Sequence, residues 1–311
     1  MIRPARLPDW VRLGLDPLVV RRRGLSGLGR VLAYIVLIDT AFVFLFPLIF
    51  MATTSLKTVE DLADITVSWI PSELFLGHYT FALNILGYAQ GLLNSLTISV
   101  PAAIGQIIAC SFVGYGLARL PFPGREVLFF LVLFTFLIPP QTIIVPLFIF
   151  YRDLGWLNTY YPFIVPPFLG FGVKGALFIL IFRQFFRGLP WELEDAALID
   201  GASPIRVYWR VMLPLASPAI LVVLLFSLVW RWNDYFQSNT FLLREEKFTL
   251  PMRLATIAGR IQQTGLGYST DNYNEGLMMA ATVLVILPML LFYAVAQRYF
   301  VESVARTGLV E

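Results

Sequence analysis

Leu189-Pro190-Trp191-Glu192-Leu193-Glu194-Asp195-Ala196-Ala197-Leu198-Ile199-Asp200-Gly201-Ala202-Ser203-Pro204-Ile205-Arg206-Val207-Tyr208-Trp209-Arg210-Val211-Met212-Leu213-Pro214 is a polar insert between two strongly apolar stretches. Its punctuation predicts two short helices joined by a turn. Pro190 suits a first-turn position, and Glu192, Glu194 and Asp195 complement the positive end of a helix dipole. Gly201 can take the left-handed conformation that ends a helix, and Ser203-Pro204 supplies a cap and a first-turn proline for the next one. Leu193, Ala196 and Ala197 fall at i, i+3 and i+4 and make one small, nearly flat apolar face. A helix this short with so little apolar surface is marginal alone. Two readings follow: a connector resting at the headgroup boundary, or an element that docks on a partner protein.

The rest of the chain is a membrane sequence. Of its 311 residues 58% are hydrophobic and only 14% charged, with a mean hydropathy of +0.75, far from the balance of a soluble domain. Apolar runs of about 20 residues, enough to cross a bilayer, occur at 31–53, 92–118, 127–150, 162–186, 215–236 and 277–297. They predict an all-α integral membrane protein with six transmembrane helices and the polar insert between the fourth and fifth. The fourth span is interrupted by Pro162, Pro166, Pro167, Gly170, Gly172 and Gly175. Such breaks persist in a membrane only where the freed backbone is buried in protein or lines a cavity, so this span is expected to border the pathway. Pro139-Pro140 and Pro146 are expected to kink span three.

Seven arginines, from Arg3 to Arg30, precede the first span, whereas the stretch from Lys57 to Gln90 holds one lysine and four acids. By the positive-inside rule the N-terminus is cytoplasmic, and six spans return the tail to the same side. Arg119, Arg125, Arg183, Arg187, Arg206 and Arg210 then fall in cytoplasmic connections. The organisation expected is a cytoplasmic tail over 1–30, a membrane domain over 31–300 with its polar insert at 190–214 and an external segment at 237–276, and a second cytoplasmic tail over 301–311. The first span is longer than a signal-peptide core and is read as a retained anchor.

One cysteine, Cys110, and one histidine, His78, build neither a disulfide framework nor a metal cluster, and no metal site is expected. The basic residues are not gathered with aromatics on a soluble face, so no nucleic-acid partner is expected. No Gly-x-x-x-x-Gly-Lys-Ser/Thr loop occurs, so the chain is not expected to bind or hydrolyse ATP, and it shows no catalytic constellation. A secondary transporter would be expected to show internal repeats and more intramembrane carboxylates than Asp39 and Asp234.

The insert resembles the signature loop of ABC-importer permeases, in which Glu-Ala-Ala is followed by Asp-Gly and, a dozen residues on, by Leu-Pro. Here Asp195-Ala196-Ala197, Asp200-Gly201 and Leu213-Pro214 occupy those places, with Asp for Glu. The resemblance extends over most of the chain through Phe46-Pro47, Ser55-Leu56-Lys57, Asn94-Ser95-Leu96, the run from Gly114 to Arg119, Ile138-Pro139-Pro140-Gln141, the run from Leu154 to Thr159, Trp232-Asn233-Asp234 and the run from Gln297 to Val301. It looks closest to carbohydrate-importer permeases related to the smaller membrane subunit of the maltose transporter. Residues 259–275 look like an insertion, and the tail after Ser303 lacks the usual glycine-rich ending. The resemblance implies the type I ABC-importer fold in a bacterial or archaeal cytoplasmic membrane. It also implies two cytoplasmic ATP-binding subunits that hold ATP and Mg, a second homologous permease subunit, an external solute-binding protein and a carbohydrate substrate. A permease for glycerol phosphate or peptides is the alternative. The ATPase-coupling residues carried over are Glu194, Asp195, Ala196, Ala197, Asp200, Gly201, Leu213 and Pro214.

For the solute path, aromatic faces and planar polar side chains suit a sugar, which singles out Trp230, Trp232, Asn233, Asp234, Tyr235 and Asn239 near the outer end of span five. The competing reading is an interfacial aromatic belt. Lys174 is either a buried cation on the path or an interfacial one, depending on whether span four is continuous.

Overall fold

The structure, a computed structural model, describes residues 27–307 apart from 65, 68, 173 and 265–274, and every regular element among them is helical. The chain divides into two compact units, Met1–Thr53 and Thr54–Glu311. The described part of the first lies within α1 (Gly27–Thr54), an apolar helix that carries Pro47 without a break and whose last residue begins the second unit. Phe42, Phe46 and Phe50, four residues apart, place their rings 6.0 and 6.4 Å from one another along one face.

The second unit opens with α2 (Val59–Ala63) and α3 (Gly77–Ile85) and then forms α4 (Tyr88–Arg119). At about 1.5 Å per residue α4 is roughly 48 Å long, more than the ~30 Å of a hydrocarbon core. Small residues, among them Gly91, Ala102, Gly105, Ser111, Gly114 and Ala118, form its buried face and let neighbouring backbones approach closely. A Cβ added at Gly105 would lie 2.5 Å from the Phe168 ring, and one at Gly114 would lie 2.7 Å from Phe182 Cβ.

There follow α5 (Arg125–Leu137), α6 (Pro140–Asp153), α7 (Tyr161–Phe168), α8 (Gly175–Gly188), α9 (Glu192–Ile199) and α10 (Pro204–Val207). A π-helical turn at Tyr208–Met212 leads into α11 (Leu213–Leu215), then α12 (Ser217–Trp232), α13 (Tyr235–Phe241), α14 (Leu250–Ala255), α15 (Ile257–Thr264) and α16 (Glu275–Thr307).

Among the described residues, three helices are long and apolar enough to cross a membrane uninterrupted, at Gly29–Thr54, Tyr88–Arg119 and Glu275–Arg298. Counting each of two bent pairs as one span gives five. Six crossings are reached only if α7 and α8 are taken together as a further broken span. The span at 127–150, expected to be kinked by its prolines, is broken into two half-helices at 96°. Pro139 and Pro140 lack the N–H groups that would carry the ladder onward, and the Ile138 N–H turns back to the Thr135 carbonyl at 3.3 Å. The expected span at 215–236 stops at Trp232 and bends by 75° from the segment before it.

The break in the fourth expected span runs from Leu169 to Lys174, with Gly170, Gly172 and Lys174 at φ of +73°, +128° and +62°. Gly175 closes the turn so tightly that an added Cβ would sit 2.4 Å from the Gly170 carbonyl oxygen. Part of the freed backbone is satisfied within the turn itself: the Leu169 and Phe171 N–H groups both donate to the Pro166 carbonyl at 3.0 Å, and the Gly170 N–H donates to the Pro167 carbonyl at 3.1 Å. Cys110 Sγ donates to the Gly175 carbonyl at 3.6 Å, and the neighbouring Gln106 accepts from Ser227 across to α12.

The segment at 237–276, expected to be external, carries α14 and α15 in its described part. Asn94 donates to the carbonyls of Glu246 and Phe248 at 2.7 and 3.0 Å, and Arg253 gathers the carbonyls of Leu86, Glu245 and Phe248. Most of the expected insertion at 259–275, nearly all of the N-terminal tail and the end of the C-terminal tail lie outside the described residues.

Candidate functional site

The polar insert folds as its punctuation predicts except at Pro190, which lies before the N-cap residue Trp191 and not in the first turn. Pro190 precedes α9, Gly201 follows it at φ +80°, and Ser203 Oγ accepts from the Arg206 N–H to cap α10, which begins at Pro204. Leu193 and Ala196 are exposed and Ala197 is half-buried, so the small apolar face is largely presented to the outside. Asp195, Asp200 and Gly201 are exposed with it. Leu213 and Pro214 lie in α11, after the π-helical turn.

Glu194 departs from this set. It is the one buried residue of α9, 6% exposed, and it points back into the protein. Tyr115 Oη donates to its Oε1 at 2.6 Å, and Arg119 Nη1 stands 3.8 Å from its Oε2. Arg119 Nη2 also donates to the carbonyls of Phe186 and Leu189, each at 2.5 Å. Its guanidinium lies 4.2 Å from the centre of the Trp191 ring. Arg119 thus adds donors at the end of α8, where the Phe186 carbonyl has only the 3.3 Å turn bond from the Leu189 N–H, and reaches the start of α9.

Two arginines counted by sequence as loop charges are therefore helical and buried. Arg119 is the last residue of α4, and Arg183, within α8, donates to both carboxylate oxygens of Glu126 at 2.8 and 2.7 Å. Arg183 also lies 3.8 Å from the Phe129 ring centre. The physical reason is economy of charge: in an apolar chain a guanidinium with five donors is most useful where helix ends meet. Tyr208, in the π-helical turn, completes the arrangement by hydrogen bonding Ser111 at 2.7 Å.

The solute-path candidates do not form one site. Trp230 stacks between Phe178 and Phe226, with ring centres 5.7 and 5.1 Å away. Lys174 lies on the same side, its Nζ 4.8 Å from the Phe136 ring centre and 5.9 Å from that of Trp230. Trp232 faces elsewhere, buried against Leu250, Leu277 and Ala281. Asp234 is committed to Arg231 at 2.9 Å and to the Gln237 N–H at the start of α13. Asn233, Tyr235 and Asn239 are exposed. Neither alternative posed for Lys174 describes it fully, since it occupies the break between α7 and α8 and is exposed there.

A helical membrane unit with this insert matches one family along residues 107–306, that of the binding-protein-dependent transport system inner membrane component. The chain belongs to that family. The arabinooligosaccharides transport system permease protein AraQ of Halalkalibacterium halodurans is 31% identical to it over 271 residues, which cover 86% of this chain and 92% of AraQ. The diacetylchitobiose uptake system permease protein NgcG of Streptomyces coelicolor is 29% identical over 275 residues, 88% of this chain and 87% of NgcG. Among solved structures, a bacterial ABC transporter involved in the import of the acidic polysaccharide alginate contains a similar chain. The two agree with a TM-score of 0.76 at 26% identity, over 88% of this chain and 98% of that one.

The fold is that of a type I ABC-importer permease, and the protein is a multi-pass inner-membrane transport subunit. Membership implies that it works with an ATPase and a solute-binding protein. Sequence reasoning found the insert and its capping. It missed the inward turn of Glu194 and the roles of Tyr115 and Arg119, whose local signal was only a charged residue ending a helix rich in small side chains.

Proposed function

We propose that the chain is one of two homologous permease subunits of an ATP-driven carbohydrate importer, with both termini in the cytoplasm and ATP hydrolysis left to two partner subunits. The substrate class rests on the relatives, several of which carry oligosaccharides by name. The observation that supports the coupling role is the outward apolar face of α9. Leu193 and Ala196 are left exposed on a helix too short to be stable alone, and small side chains allow a partner's groove to approach closely. Docking of an ATPase there, followed by ATP-driven closure, would move α9 and the helices attached to it between inward- and outward-open states.

The solute path runs on this reading past Lys174 and Trp230. Counted from their cytoplasmic ends at about 1.5 Å per residue, Lys174 at the head of α8, Trp230 in α12 and Phe136 in α5 lie roughly 21, 20 and 17 Å deep. That is well inside a ~30 Å hydrocarbon core. A lysine exposed at such depth is costly against lipid and belongs on an aqueous cavity or a subunit interface.

The test is reconstitution with the neighbour-encoded solute-binding protein and ATPase, measuring which solute raises ATP turnover. Stimulation by an oligosaccharide is expected, and stimulation only by a non-carbohydrate overturns the substrate class. Ala197→Arg and Gly201→Asp are expected to uncouple ATP hydrolysis from uptake while the protein stays in the membrane. Normal uptake by Ala197→Arg overturns the docking role of α9.

A further inference from the structure

Among the residues of α9, the one buried side chain belongs to a carboxylate, Glu194. A buried carboxylate is strongly unfavourable unless it is paired and hydrogen-bonded. Its two partners, Tyr115 and Arg119, stand one helical turn apart on α4 and so present the same face. Both Tyr115 and Arg119 are buried. Arg119 additionally holds the Phe186 and Leu189 carbonyls at the end of α8 and lies against Trp191. One guanidinium and one phenol therefore join three pieces of chain: the end of α4, the end of α8 and the start of α9.

We propose that Tyr115, Arg119 and Glu194 form a latch that makes α4 follow α9. These are positioning residues, touching neither solute nor nucleotide, and the inference rests on the reading of α9 as the ATPase-docking helix. Without the latch α9 is held by the packing of its half-buried Ala197 against the core and by two turns, Leu189-Pro190-Trp191 on one side and the glycine turn at Gly201 on the other, and both turns can absorb a displacement by rotating. With it, a movement of α9 that α4 did not share would strip a buried carboxylate of its partners. The geometry leaves room for tightening: Glu194 Oε2 and Arg119 Nη1 face each other at 3.8 Å, and neither atom has a hydrogen-bond partner. An approach of about 1 Å would create a direct charge-assisted hydrogen bond. Motion delivered at Arg119 then has a rigid route, because the small-residue face of α4 packs on Phe182 of α8 near the latch and on Phe168, beside the break, about two turns further along.

The experiment uses the complete reconstituted complex and reads solute taken up per ATP hydrolysed, together with thermal stability. Tyr115→Phe removes one hydroxyl and keeps the ring packing against Phe186 and Tyr208. Glu194→Gln keeps the size and removes the charge. Each is expected to lower uptake per ATP by about tenfold, the equivalent of one hydrogen bond to a charged group. The double variant is expected to be no worse than the poorer single one, because both break the same latch. Unchanged uptake per ATP in both single variants overturns the proposal, even if stability falls, and so does a double loss equal to the product of the two. Should Glu194→Gln fail to assemble, Tyr115→Phe decides by the same ratio. Ala197→Arg separates the two readings: if it blocks uptake while the latch variants transport normally, the latch alone falls, and if it transports normally, the docking reading falls with it.

Discussion

Gly114 offers a sharp test of how closely α4 and α8 must pack. A Cβ placed there would meet Phe182 Cβ at 2.7 Å, the Arg183 backbone nitrogen at 3.0 Å and the Ile179 carbonyl oxygen at 3.2 Å. Two of those three atoms are backbone, so the side chain cannot rotate away and the helices must separate. Overpacking of this kind costs about 1–3 kcal/mol, against which alanine recovers close to 1 kcal/mol of helix propensity over glycine. Gly114→Ala should therefore be destabilising by about 1 kcal/mol net. Gly116, two residues on in the same helix, is the internal control, because nothing lies within 4 Å of its added Cβ and only the propensity gain remains. In detergent-solubilised protein Gly114→Ala should melt about 2 °C below the parent and Gly116→Ala at or above it. The larger Gly114→Val should be worse than Gly114→Ala. Equal shifts for Gly114→Ala and Gly116→Ala would show that the α4–α8 interface is not set by contact at Gly114.

Arg231 and Asp234 form a buried pair at 2.9 Å. Removing one partner, in Arg231→Met, should cost about 3–5 kcal/mol, and the double variant Arg231→Met/Asp234→Asn should recover part of it in thermal denaturation. Lys174 is exposed and, among the described residues, pairs with no carboxylate. Lys174→Met should leave melting within about 0.5 kcal/mol of the parent and yet alter solute uptake, so a variant that transports normally would remove Lys174 from the path. His78, buried outside the spans with Nε2 against the Lys57 carbonyl at 3.0 Å, has its pKa lowered, chiefly by desolvation. The folded form thus binds its proton less readily than the unfolded one. The contribution is fully present above about pH 6.5 and fades as pH falls through and below it. Melting at pH 5.5 should drop relative to pH 7.5, and by less in His78→Asn.

What the sequence revealed of the fold follows the reach of each signal. The runs at 92–118 and 277–297 became helices at Tyr88–Arg119 and Glu275–Thr307, because length and apolarity are local properties. Pro139-Pro140 marked a kink but not its 96°, since the angle depends on what α5 and α6 pack against. The caps of the insert were readable because Ser203 and Gly201 act on backbone within three residues of themselves. Trp232 was misplaced for the opposite reason: whether an aromatic at the end of a span faces a path, lipid or a second helix depends on Leu277 and Ala281, some 45 residues away.

The same distinction explains Glu194. Three acids in the first turn of a helix look equivalent to the dipole, and the amphipathic pattern of Leu193, Ala196 and Ala197 says only that the opposite face should be polar and wet. In α9 the usual arrangement is inverted at three positions, with Leu193 and Ala196 turned outward and the Glu194 carboxylate turned in. A free-standing helix would not fold this way, because it would bury a charge and expose its apolar stripe. The inversion is stable only because α4, 79 residues earlier by the Tyr115 contact, supplies a phenol and a guanidinium, while α9 lies at the surface of the chain with Leu193 and Ala196 exposed. An element that takes its anchorage from inside through charge and leaves its apolar face open is arranged to be held by one protein and pushed by another.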